Sequence, residues 1–435
     1  MISAFLKGFD QSTQELVRGA AIALVLKVLA AGAVFFLNVI LARMLGADGS
    51  GLFFLSYTIV LIGATAGCIG MESALVKFVA GNESSGCHGK VLGVYRKAML
   101  YVLISSSVLS LALYIVSPWL SAVLFGKPEL AALLPIMLVA LVPLSLYTLH
   151  AYALQGLKKI AASISVLSLI APSIICALSL ILFPFYGIEG TGYAYLIAAY
   201  VTLLVGVWFW RKYTTKFKSE MVVFDSKELL TSSLPMYGGV VMGILITWTP
   251  MLFLGVWESS ENIGIYSAAS RTAMLTSFVL MAVNSIAAPK FAALHKQNNL
   301  QEIGEVAQNS TKLMVYLSAP VLMLFIFFPE WVLSIFGDEF RSGAFVLVIL
   351  AIGQFVNVAT GSVGYLLLMT GRERSMRNNL MFCAFLAVIM NWLLIPAYGV
   401  IGGAIATAVI LASQNIIATI IVWRKMGIIV LPRLK

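Results

Sequence analysis

A block near the start of the chain, Ala74-Leu75-Val76-Lys77-Phe78-Val79-Ala80, recurs 213 positions later as Ala287-Ala288-Pro289-Lys290-Phe291-Ala292-Ala293. Two further pairs keep nearly the same offset. Leu124-Phe125-Gly126 returns as Ile335-Phe336-Gly337, and Phe183-Pro184-Phe185-Tyr186-Gly187-Ile188 as Ile395-Pro396-Ala397-Tyr398-Gly399-Val400. A register held across three blocks marks two homologous halves of similar size.

What the halves are made of follows from composition. Hydrophobic residues make up 61% of the chain and charged residues 11%, with a mean hydropathy of +0.99, against roughly 25% charged residues in a soluble domain. The chain is an all-α integral membrane protein, and a duplicated membrane chain has the build of a carrier. Its first apolar stretch, 19 to 42, is too long for a signal-peptide core and is expected to stay as a membrane helix.

Stretches of about 20 apolar residues, the length that spans a bilayer, predict twelve transmembrane helices. They lie near 19–42, 51–79, 98–124, 130–155, 160–183 and 189–210, then near 232–256, 263–288, 312–336, 343–370, 376–396 and 400–423. The expected domains are a six-helix lobe over 1–210, a cytoplasmic linker over 211–233 and a second six-helix lobe over 234–435. Six is even, so both lobes enter from the same side and are related by a pseudo-twofold along the membrane normal.

Charge sets the orientation. With the N-terminus in the cytoplasm, all of the 28 Lys and Arg fall on inner segments except Lys27, Arg43, Lys127, Arg271 and Arg341. The inner set includes Lys7, Arg18, Lys77, Lys158, Lys216, Lys218, Arg433 and Lys435. The positive-inside rule therefore places both termini in the cytoplasm. The net charge of +10 is then a topological signal, attractive to anionic lipid head groups, and no nucleic-acid partner is called for. Trp119, Trp257, Trp331 and Trp392 fall near outer ends and Trp208, Trp210 and Trp423 near inner ends, as an aromatic belt requires, while Trp248 sits well inside a span.

Soluble chemistry is not visible. The expected outer loops, such as 46–49, 187–189 and 397–399, leave no room for an external catalytic domain, and there is no G-x-x-x-x-G-K-[ST] nucleotide loop. Cys68, Cys87, Cys176 and Cys383 have no C-x-x-C spacing, and His88, His150 and His295 are isolated, so no metal or other cofactor is expected.

The run Leu41-Ala42-Arg43-Met44-Leu45-Gly46-Ala47-Asp48-Gly49-Ser50-Gly51-Leu52-Phe53, followed by Gly70-Met71-Glu72-Ser73-Ala74-Leu75-Val76-Lys77-Phe78, resembles the opening signature of polysaccharide-biosynthesis membrane proteins. Asn262-Ile263-Gly264-Ile265-Tyr266-Ser267-Ala268-Ala269-Ser270-Arg271 resembles that family's eighth helix. These proteins are lipid-linked oligosaccharide flippases (O-antigen or capsule repeat-unit type) of the multidrug/oligosaccharidyl-lipid/polysaccharide exporter superfamily. The resemblance implies an alternating-access carrier with a V-shaped pair of bundles. Its substrate would be a polyprenyl-pyrophosphate-linked glycan, moved to the outer leaflet of a bacterial cytoplasmic (inner) membrane for lipopolysaccharide or capsule synthesis. Polysaccharide-assembly proteins are the partners it implies.

Charges inside spans are the candidate site, since each costs about 2.5 to 3.5 kcal/mol near a helix centre on insertion scales. They are Lys27, Glu72 and Arg271. Helical spacing puts Lys27 on one face with Ala31, Val34 and Asn38, and Glu72 on one with Thr58 and Thr65. Lys27 and Glu72 lie at similar depth on adjacent antiparallel helices, so an ion pair between them, a cavity-facing Lys27, and snorkelling to the inner interface all remain open. Glu72 is otherwise a candidate coupling group. Arg271 has no evident partner unless Glu258 or Glu261 folds back, and Arg43 with Asp48 reads as a clamp on the first outer turn.

The sign of these charges separates two transport readings. An exporter of organic cations calls for intramembrane carboxylates, whereas a pyrophosphate calls for Lys and Arg in a low-dielectric cavity. Lys27, Arg271 and Asn38 are thus the expected substrate ligands. A multidrug/cation antiporter is the alternative, and a membrane-embedded glycan-assembly enzyme a more distant one. The Gly63–Gly67 and Gly239–Gly243 spacings suit close helix contact, and Pro143, Pro172 and Pro320 suit kinks.

Overall fold

Inside a bilayer every backbone N–H and C=O must find its partner within the protein, and this chain meets the demand with helices. The computed structural model describes residues 11–217, 222 and 224–431, and for 11–24, 285 and 286 the backbone alone. Lys7, Lys218, Arg433 and Lys435, counted above as inner charges, lie outside the described residues, as does the side chain of Arg18.

In chain order the α-helices are α1 (Gln11–Gly67), α2 (Met71–Ser84), α3 (His88–Trp119), α4 (Leu130–Val139), α5 (Leu141–Gly156), α6 (Ile160–Ile164), α7 (Ile170–Thr214) and α8 (Ser226–Trp257). They continue as α9 (Ser260–Ala273), α10 (Phe278–Lys296), α11 (Leu300–Phe327), α12 (Pro329–Ser334), α13 (Ala344–Ala359), α14 (Val363–Met369) and α15 (Glu373–Met426). No strand occurs among the described residues. Among the described residues, seven stretches are long and apolar enough to cross a membrane, or up to nine if the bent pairs α4 with α5 and α9 with α10 each count as one span. Twelve separate helices were expected; the difference arises because α1, α7 and α15 each run through a glycine where the sequence suggests a loop.

Those glycines reverse or kink the chain. Gly46 has φ 67°, Gly187 φ 56° with ψ −136°, and Gly399 φ 58° with ψ −137°. A straight α15 of 54 residues would run about 80 Å, far beyond a hydrocarbon core of about 30 Å. Instead it folds back on itself: Asn379 Nδ2 donates to Gln414 O at 2.7 Å and Lys425 Nζ to Ser375 Oγ at 2.7 Å. The same reversal follows Gly187, since a Cβ on Gly190 would lie 2.7 Å from the carbonyl oxygen of Leu182. A left-handed residue of this kind costs least at glycine.

Other breaks have local causes. The 41° bend between α4 and α5 sits three residues before Pro143, whose missing N–H and ring disturb the preceding turn. A π-helical turn over Ser165–Leu169 precedes Pro172 in the same way. The helix expected over 51–79 is interrupted at Cys68–Gly70, with Ile69 at φ 50° and Gly70 at φ 71°. There Gly70 lies so close to α8 that a Cβ would meet Ser233 O at 2.6 Å.

Between the sequence halves, α1 and α9 cross through glycine. A Cβ on Gly51 would stand 1.7 Å from Ser260 O, and one on Gly264 2.0 Å from Ala47 O. These are one contact made twice, each residue meeting the counterpart of its partner 213 positions away. The largest buried cluster draws on both halves, with Leu41, Leu55, Leu133, Leu254, Ile263 and Phe336 among its members. Two smaller ones form toward the opposite ends of the helices. One centres on Met71, Leu75, Val91 and Trp210, the other on Phe291, Ile303, Leu367 and Val422.

Trp210, expected in an interfacial belt, is instead buried, stacked on Tyr95 at 4.0 Å. Trp119, Trp331, Trp392 and Trp423 are exposed. Of the two glycine pairs, Gly63 and Gly67 pack tightly against Leu141 and Ser106, whereas Gly239 and Gly243 face open space.

The crossing predicts a sharp contrast in stability. Gly51→Ala and Gly264→Ala force backbone apart and should each cost at least the roughly 1–3 kcal/mol of an overpacked core. Gly243→Ala should be neutral or stabilising by up to about 1 kcal/mol through helix propensity. Thermal unfolding in detergent reads both, and an unchanged melting temperature in Gly51→Ala would contradict the close crossing.

Candidate functional site

The α1–α9 crossing decides where Arg271 falls. Helix α9 starts at Ser259, whose side chain accepts from Asn262 N at 3.2 Å. Two turns past Gly264 the helix carries Arg271 against α1, its guanidinium 4.2 Å over the Phe54 ring and 5.6 Å from that of Tyr57. At a half-buried site such a cation–π contact contributes about 0.5–2 kcal/mol. Neither Glu258 nor Glu261 reaches it. The Glu258 carboxylate accepts from Asn262 Nδ2 at 2.6 Å, and the exposed Arg341–Asp338 ion pair at 2.7 Å lies elsewhere.

Three cavities meet at Arg271. One of about 340 Å³ is lined by Lys27, Ala31, Val34, Asn38, Ser168 and Arg271, together with Met274 and Phe278. A second, of about 180 Å³, adds Tyr57, Tyr147 and Tyr195 to Asn38 and Arg271. The third, of about 290 Å³, extends from Arg271 among α8, α9, α13 and α15. The structure therefore gathers Lys27, Asn38 and Arg271 on one cavity, on the helical face that spacing assigned to Lys27. Among the described residues, no Asp or Glu lines any of the three.

Glu72 is elsewhere. The break at Cys68–Gly70 takes it off the face of Thr58 and Thr65, whose hydroxyls instead bond back to Phe54 O and Leu61 O. It is buried, its Oε2 has no hydrogen-bond partner, and no ion pair joins it to Lys27 among the described residues. His150 is likewise no ligand: its Nε2 lies 2.8 Å from Tyr95 Oη and its Nδ1 2.7 Å from Leu146 O, a satisfied core histidine.

Sequence reasoning missed Lys127, a loop charge at first sight. It is buried, and its ammonium donates to Gly255 O at 2.6 Å, Glu258 O at 2.8 Å and Phe125 O at 3.1 Å, using all three N–H bonds. Burial pushes its pKa below the usual lysine range, against the pull of Glu258, Asp48 and Glu129. In sequence, Lys127 follows Gly126, one of the repeated motifs. The matching segment around Gly337 makes the converse contacts: Arg43 Nε donates to Ile335 O at 2.8 Å and Ala47 N to Glu339 Oε2 at 2.8 Å. Arg43 thus clamps the other half of the chain and not its own turn with Asp48. Each loop latches onto the helix turn of the opposite half, beside the α1–α9 crossing.

An all-helical membrane architecture with a cation-lined cavity defines a membrane carrier, and the solved structures bear out the helical fold. An inward-facing multidrug resistance MATE family transporter of the MOP superfamily superposes with a TM-score of 0.76 at 14% identity, covering 94% of this chain and 98% of that one. The lipid II flippase MurJ, in an inward closed conformation, gives 0.75 at 14% identity, covering 92% and 86%. The chain belongs to the polysaccharide biosynthesis protein family, whose model matches residues 16–295, and a MatE model matches 235–393. Among curated proteins it is 23% identical to the probable low-salt glycan biosynthesis flippase Agl15 of Haloferax volcanii, over 93% of this chain and 82% of that protein. It is 27% identical to the succinoglycan biosynthesis transport protein ExoT of Rhizobium meliloti, over 72% and 61%.

The Lys127 latch yields a test. Lys127→Met leaves three carbonyls without a charged donor, each such bond contributing about 1.5–3 kcal/mol, and should loosen this end of the molecule. A cysteine replacing the buried Met251, one turn inside Gly255, should then react with maleimide several-fold faster than in the Lys127 background; equal rates would show that the latch holds nothing shut.

Proposed function

We propose that this protein is a flippase for a polyprenyl-pyrophosphate-linked oligosaccharide, working by alternating access in cell-surface polysaccharide synthesis. The observation that carries the reading is the sign of the cavity: Lys27 and Arg271 line it with Asn38, and among the described residues no carboxylate does. A diphosphate supplies the oxygens that an ammonium and a guanidinium bind most strongly in a low-dielectric site. The curated relatives support it, being named for glycan flipping and transport. Transport of this kind moves its substrate chemically unchanged, so the protein is a carrier and not an enzyme.

A multidrug/cation antiporter of the same superfamily is the second reading, favoured by the MATE likeness. It fits less well, because a cavity for organic cations needs the negative charge this one lacks.

The working architecture is twelve spans in two six-helix lobes, 1–210 and 234–435, related by a pseudo-twofold. Dividing α1, α7 and α15 at Gly46, Gly187 and Gly399, and counting each bent pair as one span, gives that number. The reciprocal Gly51–Ser260 and Gly264–Ala47 contacts and the matched backbone angles of Gly187 and Gly399 support the symmetry. The positive-inside bias puts the latched end outside and both termini in the cytoplasm. Glu72, away from the cavity, is a coupling group or a structural one. Lipid-linked glycan, membrane lipids and polysaccharide-assembly proteins are the partners this role requires.

Two measurements test this. For the charge, Arg271→Lys should keep partial translocation of the lipid-linked glycan, Arg271→Ala lose most and Arg271→Glu all, at similar levels of inserted protein; the guanidinium's two-pronged contact is what Lys reproduces in part. Near-wild-type activity in Arg271→Glu would reject the anionic substrate. For orientation, single cysteines at Lys158 and Lys216 should label only with reagents that enter the cytoplasm, and one at Glu129 from outside. External labelling of Lys216 would overturn the topology.

A further inference from the structure

The third cavity at Arg271 differs in chemistry from the other two. Its walls come from Thr247 and Trp248 of α8, Tyr266 and Ser270 of α9, Gln354 of α13 and Thr407 of α15. Apart from Arg271, on the wall it shares with the Lys27 cavity, no charged residue among those described lines it. Tyr266 Oη and Thr407 Oγ1 bond each other at 2.9 Å across α9 and α15, which fixes that wall. The indole N–H of Trp248 and the amide of Gln354 have no partner among the described residues, and both side chains are half-buried. In the apolar interior of a membrane bundle, an amide and an indole left without partners are costly unless a wet or ligand-filled space receives them.

We propose that this cavity seats the first, uncharged sugar of the lipid-linked glycan, next to a diphosphate held by Arg271 and Lys27. The proposal rests on the flippase reading and adds to it the class of head group. A pyranose offers two kinds of surface. Its C–H face packs on an aromatic ring such as Trp248, and its hydroxyls both donate and accept, as do the amide of Gln354 and the hydroxyls of Ser270 and Thr407. With Arg271 engaged by phosphate, the lining has no cation left for an acidic sugar and no carboxylate for an amino sugar. A volume of about 290 Å³ lies near the roughly 300 Å³ lower limit of small-molecule sites, matching one head unit and not a polymer. The same composition turns away an organic cation, whose charge would face Arg271.

The test compares two lipids on the purified full chain in nanodiscs: undecaprenyl diphosphate, and undecaprenyl diphosphate carrying one N-acetylglucosamine. Native mass spectrometry or fluorescence titration gives the two affinities. The wild type should bind the glycosylated lipid about tenfold more tightly, the size of one stacked ring plus one hydrogen bond. Trp248→Ala and Gln354→Ala should each shrink that ratio toward unity with affinity for the bare diphosphate unchanged, and Trp248→Phe should keep most of it. A ratio of unity in the wild type, or one unmoved by Gln354→Ala and Trp248→Ala, would overturn the sugar site while leaving the diphosphate site standing. Failure of the wild type to bind either lipid, or undiminished binding of the bare diphosphate by Arg271→Glu, would overturn the flippase reading itself.

Discussion

A guanidinium in the middle of an apolar bundle sets the terms for everything around it. Among the described residues Arg271 meets no carboxylate, and its charge is met by the faces of Phe54 and Tyr57 and by three cavities. That setting exists because α1 and α9 touch backbone to backbone at Gly51 and Gly264. Any side chain there would push the helices apart, lift the guanidinium off Phe54 and separate it from Lys27 and Asn38. Two hydrogen atoms in place of two methyl groups therefore hold the site together, and the latches at Lys127 and Arg43 hold the crossing.

The latches occupy equivalent places in the two halves yet differ in strength. Lys127 is buried with three carbonyl partners from both halves, whereas Arg43 and Glu339 are exposed and contribute as surface charges do. The backbone plan recurs in the two sequence halves, closely at Gly187 and Gly399 (φ 56° and 58°) and in the sign of φ alone at Gly126 and Gly337 (φ 59° and 142°). The side chains have diverged around it. An opening that starts at this end would release the exposed Arg43 and Glu339 contacts first and keep Lys127 as the hinge until late.

Much of the cavity's lining was legible in the sequence, and the reasons are physical. Lys27, Ala31, Val34 and Asn38 recur at the helical period, and no glycine or proline separates them, so the face survives folding. Arg271 stands out because charge is expensive in a span. Glu72 was misplaced because the same periodicity was carried across Cys68–Gly70, where contact with α8 breaks the helix and nothing but a glycine announces it. Trp210 was misplaced because an aromatic near a helix end reads as an interfacial anchor whether it faces lipid or Tyr95. Lys127 was passed over since a lysine in a short loop looks solvated; the three carbonyls that hold it come from residues nearby and 128 or more positions away. Trp248 was noticed for its depth alone, and the partners that give it meaning lie on helices far along the chain.

The two cations also bear on where energy enters a transport cycle. With the cell interior negative, each elementary charge crossing the membrane is worth about 2.3 kcal/mol per 100 mV. On the proposed reading, a diphosphate bound between Lys27 and Arg271 would make a loaded cavity of nearly zero net charge, so the potential would have little hold on the outward step. Once the anion has left, the cavity carries two unbalanced positive charges, and the field draws it back to the inner side. Over a full cycle the result is the same as carrying two negative charges outward, but the driving force acts on the empty protein. A carrier built this way has no need of a carboxylate in its cavity, and the position of Glu72, buried beside a helix break and off the cavity wall, is consistent with the substrate site working without it.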